Sequence, residues 1–399
     1  MSTSQLIVQK YGGSSLSTTG QIRDVAARIA RLHESGHRLI IVVSAMGKTT
    51  DQLVELAHQI SSNPSRRELD MLLTTGERVS MALMSMALNE RNCPAISFTG
   101  SQAGVFTDEL HSNARIIDIK PTRVEAELDN GHIVVLAGFQ GVSPKTKEVT
   151  TLGRGGSDTT AVAMAAYFKA QRCEILKDVD GVHSADPNII QKTAHIPHLH
   201  YKALLDMTFW GAKVLHYRSV ELAALLNIPI KIALAHGEGP HTVIDGEAPM
   251  YEKAQILSVN SHKEVLRLRV KLPNLADAFN AFNKVLSSEN LPLPQLLDSE
   301  SEESSCRFLI TAPQETLIAI RRIVDQHSVL ELDPAQLSSV TATCQGAYAS
   351  PLPAEIASVL NSANIPIQKM IFGAMSVTVI IDAKDREHCI RLIHELRPS

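Results

Sequence analysis

The chain has few cysteines and no pattern among them. Cys93, Cys173, Cys306, Cys344 and Cys389 are odd in number and scattered, and no CxxC occurs. A disulfide framework is excluded, and the five read as free thiols of a cytoplasmic protein. Long apolar runs are lacking too. Leu39 to Val43 has the length of a strand, far below the roughly 20 residues that span a bilayer. The start, MSTSQLIVQK, lacks a basic leader before a long apolar core, so no secretory signal is expected there. There is no basic block, and 38 Lys and Arg against 42 Asp and Glu leave a net charge of -4. Nucleic acid and anionic membrane are therefore not expected partners. HExxH, HxxE, Gly-x-Ser-x-Gly and GxxxxGK are all absent. That removes zincin, serine-hydrolase and Walker-type readings. His195, His198 and His200 form HxxHxH, but no cysteine or carboxylate completes a zinc set.

What is present suits a soluble globular protein. At 399 residues, 44% apolar and 20% charged, two or three domains are expected. Strand-like runs at Leu6 to Gln9, Leu39 to Val43, Ala95 to Phe98, Ile133 to Ala137, Glu174 to Leu176 and Ile228 to Ala233 alternate with helical patterns. The alternation predicts a mostly parallel sheet with helices on both faces. Thr18 or Thr19, and Asp51, are candidate helix caps, and Val105 to Ile119 suggests a hairpin. Arg66 to Asn89 reads as helical with an interruption at Thr74 to Glu77, and Tyr201 to Leu226 as helical throughout. The Gly- and Pro-rich stretch from His236 to position 250 reads as a linker. Beyond it, Val285 to Leu293 resembles Val359 to Ile367, each a helix end, a turn and a strand start. This repeat predicts two small βαββαβ-like modules packed sheet edge to sheet edge.

The densest signal is TLGRGGSDTTAVAMAA, Thr151 to Ala166. Gly153, Gly155 and Gly156 bracket Arg154. Glycine permits positive φ and close approach of a ligand. Ser157, Asp158 and Thr159 are candidate caps for the Ala-rich helix that follows. The free N–H groups of such a helix start attract anions, and Arg154 offers a fork for a carboxylate or phosphate. Two more small-residue loops follow strands: Lys10 to Ser15, KYGGSS, and Ser44 to Thr50, SAMGKTT. In parallel sheets, ligands collect outside the carboxyl ends of the strands. Lys10 and Arg154 supply positive charge, and Ser14, Ser44 and Thr49 supply neutral donors. That set suits phosphoryl transfer, where positioning and charge neutralisation do most of the catalysis. Glu77 can hold a substrate ammonium. No general base is evident, and a carboxylate acceptor, ionised at pH 7, needs none.

KYGGSSL, VVSAMGKTTDQL, TTGERVS, SFTGSQAGV, GFQGV, TLGRGGSDTTAVA, DVDGVHSADP and GAKVLHYRSVE occur in the order seen in aspartate kinases. The chain resembles that family over Leu6 to Ile232. The resemblance implies an α/β fold with an amino-acid-kinase-type three-layer sandwich and a mostly parallel sheet over residues 1–250. Two C-terminal ACT-like modules would occupy 251–330 and 331–399. It implies transfer of phosphate from ATP to the side chain of L-aspartate, at the head of aspartate-derived amino-acid biosynthesis. Lys10 and Asp158 would be catalytic, Lys10 stabilising the γ-phosphoryl and Asp158 fixing Lys10. Gly12, Gly13 and Ser14 would bond the phosphates. Lys177, Asp178, His183, Asp186, Pro187, Asn188 and Lys213 would line the nucleotide, with His183 where a tyrosine often stands. Arg154 would clamp the substrate α-carboxylate and Glu77 its amino group, with Ser44, Thr49, Gly155, Gly156 and Ser157 completing the pocket. Mg²⁺ would bridge phosphates with mostly water as its other ligands and no assigned protein ligand.

The sensor modules depart from the family pattern. Leu272-Pro273-Asn274-Leu275 stands at the first helix, an acidic run from Leu297 to Glu303 replaces the first sensor strand, and Pro351 and Pro353 flank the second helix start. Proline has no N–H for an effector carboxylate, and extra carboxylates would repel one. Weak or altered feedback is expected, with the modules kept for assembly into a homodimer or larger homo-oligomer. A kinase for another small acid, such as glutamate or an N-acylated amino acid, and a non-catalytic amino-acid sensor are the competing readings. Glu77 and Arg154 favour a free α-amino acid, and Lys10, Arg154 and Asp158 favour catalysis.

Overall fold

The protein is described by a computed structural model at residues 5–247, 255–289, 291–345 and 351–397. The first four residues of MSTSQLIVQK, positions 248–250 of the expected linker and position 290 of the repeat lie outside the described residues. The chain divides into two compact units. Met1–Val182, His195–Thr208 and Lys213–Pro249 form the first, and His183–Ala194, Phe209–Ala212 and Met250–Ser399 the second.

The first unit is built on an eight-stranded sheet. Its strands lie in the order His198–His200, His241–Asp245, Ile230–Leu234, Arg172–Lys177, Leu6–Tyr11, Arg38–Val43, Ile133–Ala137 and Ala95–Phe98. All neighbours run parallel except Ile230–Leu234 with His241–Asp245. Strand residues alternate between faces. Ile7, Tyr11, Leu39, Ile41, Val43, Ile133 and Val135 pack against Ile22, Val25 and Ile29 of helix Thr19–Glu34 and Met84 and Leu88 of helix Arg66–Asn89. Helix Gly156–Tyr167 lies over Leu6–Tyr11, Arg38–Val43 and Arg172–Lys177, and it is buried from Gly156 to Ala165. Cover on both faces explains why Leu39 to Val43 and Ile133 to Ala137 read as unbroken apolar runs. A smaller sheet carries Ile116–Ile119, Val105–Thr107, Gln140–Val142 and Val149–Thr151, with the expected hairpin as its first pair. Thr18 caps Thr19–Glu34 through a capping box.

Several local expectations are corrected. Arg66–Asn89 is one continuous helix. The hydroxyls of Thr74 and Thr75 donate back to Met71 O (3.1 Å) and Leu72 O (2.6 Å), so the polar run is accommodated inside it. The linker contains strand His241–Asp245, whose alternate residues Thr242 and Ile244 are buried. Tyr201 to Leu226 is two helices, Tyr201–Phe209 and Tyr217–Leu226. The chain breaks between them at Gly211 (φ 100°), where a Cβ would lie 2.4 Å from Ser261 O. Asp51 lies in the first turn of Thr49–Ile60, and Lys48 is the cap position.

The second unit is an antiparallel sheet in the order Gln295–Ser301, Cys306–Thr311, Gln255–Val270, Leu337–Gln345, Ser376–Asp382 and Lys369–Phe372, with Leu330–Leu332 also paired to Gln255–Val270. Two cores lie on it, as befits two ACT-like modules. Leu266, Leu268, Val270 and Phe308 pack with Phe282 and Ile320, and Ile256, Val259, Val340 and Val379 pack with Ile356, Leu360 and Ile393. The long strand Gln255–Val270 serves both. The repeat has a structural counterpart. Leu291 N–H donates to Leu286 O at 2.8 Å and Ile365 N–H to Leu360 O at 2.9 Å, closing helices Leu275–Ser288 and Leu352–Ser362 in the same way.

Gly76 generates a test of the fold. Replacing a mid-helix glycine by alanine ordinarily stabilises by about 1 kcal/mol. Here the new Cβ would lie 2.8 Å from Ala45 Cβ. Gly76→Ala should lower the melting temperature rather than raise it, as read by thermal denaturation.

Candidate active site

Lys10 is the next-to-last residue of strand Leu6–Tyr11 and points to the face covered by helix Gly156–Tyr167. Its Nζ lies 2.7 Å from Asp158 Oδ1, and both side chains are more than nine-tenths buried. Asp158 sits in the first turn of that helix, where the backbone dipole favours a negative charge. Such a pair is strongly destabilised if one member is removed, because the other is left buried and unpaired. Lys177 ends the adjacent strand, and its Nζ donates to Val214 O at 2.7 Å. Burial holds its pKa below the ordinary lysine value. Asp158 works against that shift and Lys10 with it.

The two short loops meet. Gly47 N–H donates to Gly13 O at 2.9 Å, and a Cβ at Gly13 would lie 2.6 Å from Ala45 O. No larger residue fits there without moving the backbone. Ala45 N–H donates in turn to Glu77 Oε1 at 3.1 Å. Glu77 is 3% exposed, and its Oε2 is buried with no partner among the described residues. Burial pushes its pKa up to about 7, against the Ala45 N–H and the charge of Lys10. The folded value lies above the ordinary one, so this term favours the fold at low pH. Its contribution is lost as pH rises through about 7.

The arginine loop is left-handed at Gly153 (φ 74°) and Gly155 (φ 72°). Gly155 is the N-cap of the helix, in place of the expected Ser157, Asp158 or Thr159. Those side chains have other uses. Asp158 holds Lys10, and Thr159 Oγ1 donates to Gly155 O at 3.3 Å. Arg154 is exposed. A Cβ at Gly155 would lie 2.1 Å from His216 Cβ, and one at Gly156 2.9 Å from Phe139 Cδ2. Phe139 has φ 70°, a costly conformation for an aromatic residue. Burial holds the His216 pKa below its ordinary value, helped by Arg218 and Arg154 and opposed by Asp158.

The structure thus gathers Lys10, Gly12, Gly13, Ser44, Glu77, the 153–158 loop and Lys177 in the first unit. Thr49 Oγ1 donates to Met46 O at 2.6 Å, and Ser157 is buried. Ser14, Asp178 and Lys213 are exposed. His183, Asp186, Pro187 and Asn188 belong to the second unit. There His183 Nδ1 lies 2.9 Å from Thr193 Oγ1, and Asp186 Oδ1 accepts from the backbone N–H and Nδ2 of Asn188, each at 2.9 Å. Phe139, His216, Asp70 and Arg218 had no assigned part. GFQGV and GAKVLHYRSVE carried three of them, and an aspartate on an amphipathic helix gave no signal at all. Among the described residues, no group of three or more His, Cys, Asp or Glu could hold a metal ion, and no helix is long and apolar enough to cross a membrane.

Residues 5–233 match the Amino acid kinase family. An aspartokinase of Corynebacterium efficiens is 38% identical over 98% of this chain and 95% of its own length. One of Geobacillus stearothermophilus is 37% identical over 98% and 96%. Escherichia coli aspartokinase III, in complex with aspartate and ADP, shares the fold with a TM-score of 0.80 at 19% identity over 98% of this chain and 99% of its own. Aspartate kinase from Synechocystis gives a TM-score of 0.56 at 32% identity, covering 99% of this chain and 70% of its own. A match spanning the catalytic loops and running on through the antiparallel sheet leaves one assignment: the chain belongs to the amino acid kinase family and, within it, to the aspartokinases.

Proposed function

We propose that this aspartate kinase passes the γ-phosphoryl of ATP to the side-chain carboxylate of L-aspartate, giving 4-phospho-L-aspartate and ADP, with each group in the site given one task. Lys10 neutralises charge on the transferring phosphoryl, and Asp158 holds the lysine in place. Gly13 and Ser14 bond phosphate oxygens, while the Gly12 N–H is already given to Leu176 O at 3.2 Å and Gly12 serves by leaving room beside Lys10. Arg154 clamps the substrate α-carboxylate. Glu77 takes the ammonium, and Ser44, Thr49, Gly155, Gly156 and Ser157 shape the pocket around it. In the first unit, Lys177, Asp178 and Lys213 serve the nucleotide. The lysines and glycine loops form an anion-binding donor set that fits nucleotide phosphates, and bound Mg²⁺ would add charge neutralisation there. The acceptor carboxylate is already ionised, so the site needs no base to activate it.

The observation that carries this reading is Glu77 Oε2. A buried carboxylate oxygen without a partner among the described residues, beside the Lys10–Asp158 pair, is costly and would be satisfied by an ammonium. Lys10→Ala and Asp158→Ala should each lower aspartate-dependent ADP formation by on the order of 10³-fold or more. Wild-type-like rates in either variant, with an unchanged circular-dichroism spectrum, refute the assignment. The Glu77 pKa gives a second test. Below about pH 7 the carboxyl is increasingly neutral and loses its hold on the ammonium. KM for aspartate should rise by about tenfold per pH unit on the acid side, and Glu77→Gln should flatten that profile.

Feedback is proposed to be weak or altered. Pro351 and Pro353 at the start of helix Leu352–Ser362 remove N–H groups, and Asn274 Oδ1 occupies those of Ala276 and Asp277 at the start of Leu275–Ser288. The acidic run adds nothing to this case. Leu297 to Ser301 lie in strand Gln295–Ser301, and three of the run's four carboxylates are paired, Asp298 and Glu300 with Lys369 and Glu302 with Arg307. Millimolar lysine and threonine, singly or together, should leave most of the activity intact in a steady-state assay.

A further inference from the structure

Helix Arg66–Asn89 carries a second carboxylate on its buried face. Asp70 is fully buried, two turns (about 10 Å) before Glu77. Its partners come from elsewhere in the chain. The Thr151 hydroxyl donates to Oδ1 at 2.5 Å. Ser112 N–H lies 3.1 Å from both oxygens, and His111 Nδ1 lies 2.7 Å from Oδ2. Thr151 ends strand Val149–Thr151, and the arginine loop starts two residues later. Arg218 fixes the same region from helix Tyr217–Leu226. It donates to Leu152 O at 2.7 Å, Asn113 Oδ1 at 3.0 Å and Ala114 O at 2.9 Å. Ala114 N–H closes the set by donating to Thr151 O at 2.9 Å.

A carboxylate with no exposure is unfavourable unless its oxygens are bonded, and an apolar residue would pack the helix as well. What the charge adds is a direct tie between the helix that bears Glu77 and the strand that leads into Arg154. These two side chains would hold the ammonium and the carboxylate of one α-carbon, which demands a fixed separation. A displacement of about 1 Å in such a site can cost on the order of 100-fold. We propose that Asp70 is a positioning residue that sets the spacing between Glu77 and Arg154, and through it the affinity for aspartate rather than for nucleotide. The inference rests on the roles given above to Glu77 and Arg154.

The test compares full-length wild type with Asp70→Asn, Thr151→Val and Thr151→Ser. Asp70→Asn and Thr151→Val should each raise KM for aspartate by on the order of tenfold, with KM for ATP within about twofold of wild type. Their double variant should be little worse than either alone, since both cut one tie. Thr151→Ser keeps the hydroxyl and should recover most of the loss. An unchanged KM for aspartate in folded Asp70→Asn or Thr151→Val overturns the inference, and so does a parallel rise in both KM values. If Asp70→Asn fails to fold, the two Thr151 variants decide alone. A wild type that does not phosphorylate aspartate sinks the functional reading instead, and the inference with it.

Discussion

The buried ion pair between Lys10 and Asp158 is the constraint that everything in the first unit obeys. It joins the end of a central strand to the first turn of a helix lying on that strand. For the two charges to meet at 2.7 Å, the strand must present Lys10 on the helix-covered face and the helix must start level with the strand's end. A parallel sheet with short loops provides this, because its carboxyl ends lie together. Close approach at the helix start needs small residues. A Cβ at Gly138 would lie 2.7 Å from Ser157 Cβ. The pair also sets the local field: Lys10 acts on Glu77 and Lys177, and Asp158 on Lys177 and His216.

Much of this was readable before any coordinates. The loops announced themselves because glycine, hydroxyl and charged residues cluster where apolar runs stop. Lys10, Arg154 and Asp158 lie inside such clusters. The misses share a physical cause, which is that they depend on tertiary neighbours. Thr74 to Glu77 looked like a break because polar residues and a glycine weaken a helix in isolation. In the fold, Thr74, Gly76 and Glu77 turn inward, with Gly76 and Glu77 against Ala45 of the second loop, and Thr75 stays exposed. The strand His241–Asp245 was hidden by the glycines and prolines on either side of it. Asp70 carries no local mark, since its partners are some 40 and 80 positions away along the chain. Phe139 is marked only by a backbone angle that a sequence does not display.

The second unit shows how composition can mislead about charge. The acidic run looked repulsive in one dimension. In the sheet Asp298 and Glu300 pair with Lys369, and Glu302 with Arg307 and, at 3.9 Å, Arg269. The long strand Gln255–Val270 belongs to both cores, so the two modules share a backbone element as well as a repeat.

Two stretches from the kinase half, His183–Ala194 and Phe209–Ala212, are members of the second unit. Ile189 and Ile190 pack on one of its cores. Trp210 packs with Val265, Leu297, Leu309, Leu337 and Ile380. Catalysis and the antiparallel half are therefore interleaved along the gene. A cut near position 250 would take away the cores on which Trp210, Ile189 and Ile190 pack and leave these apolar side chains to water.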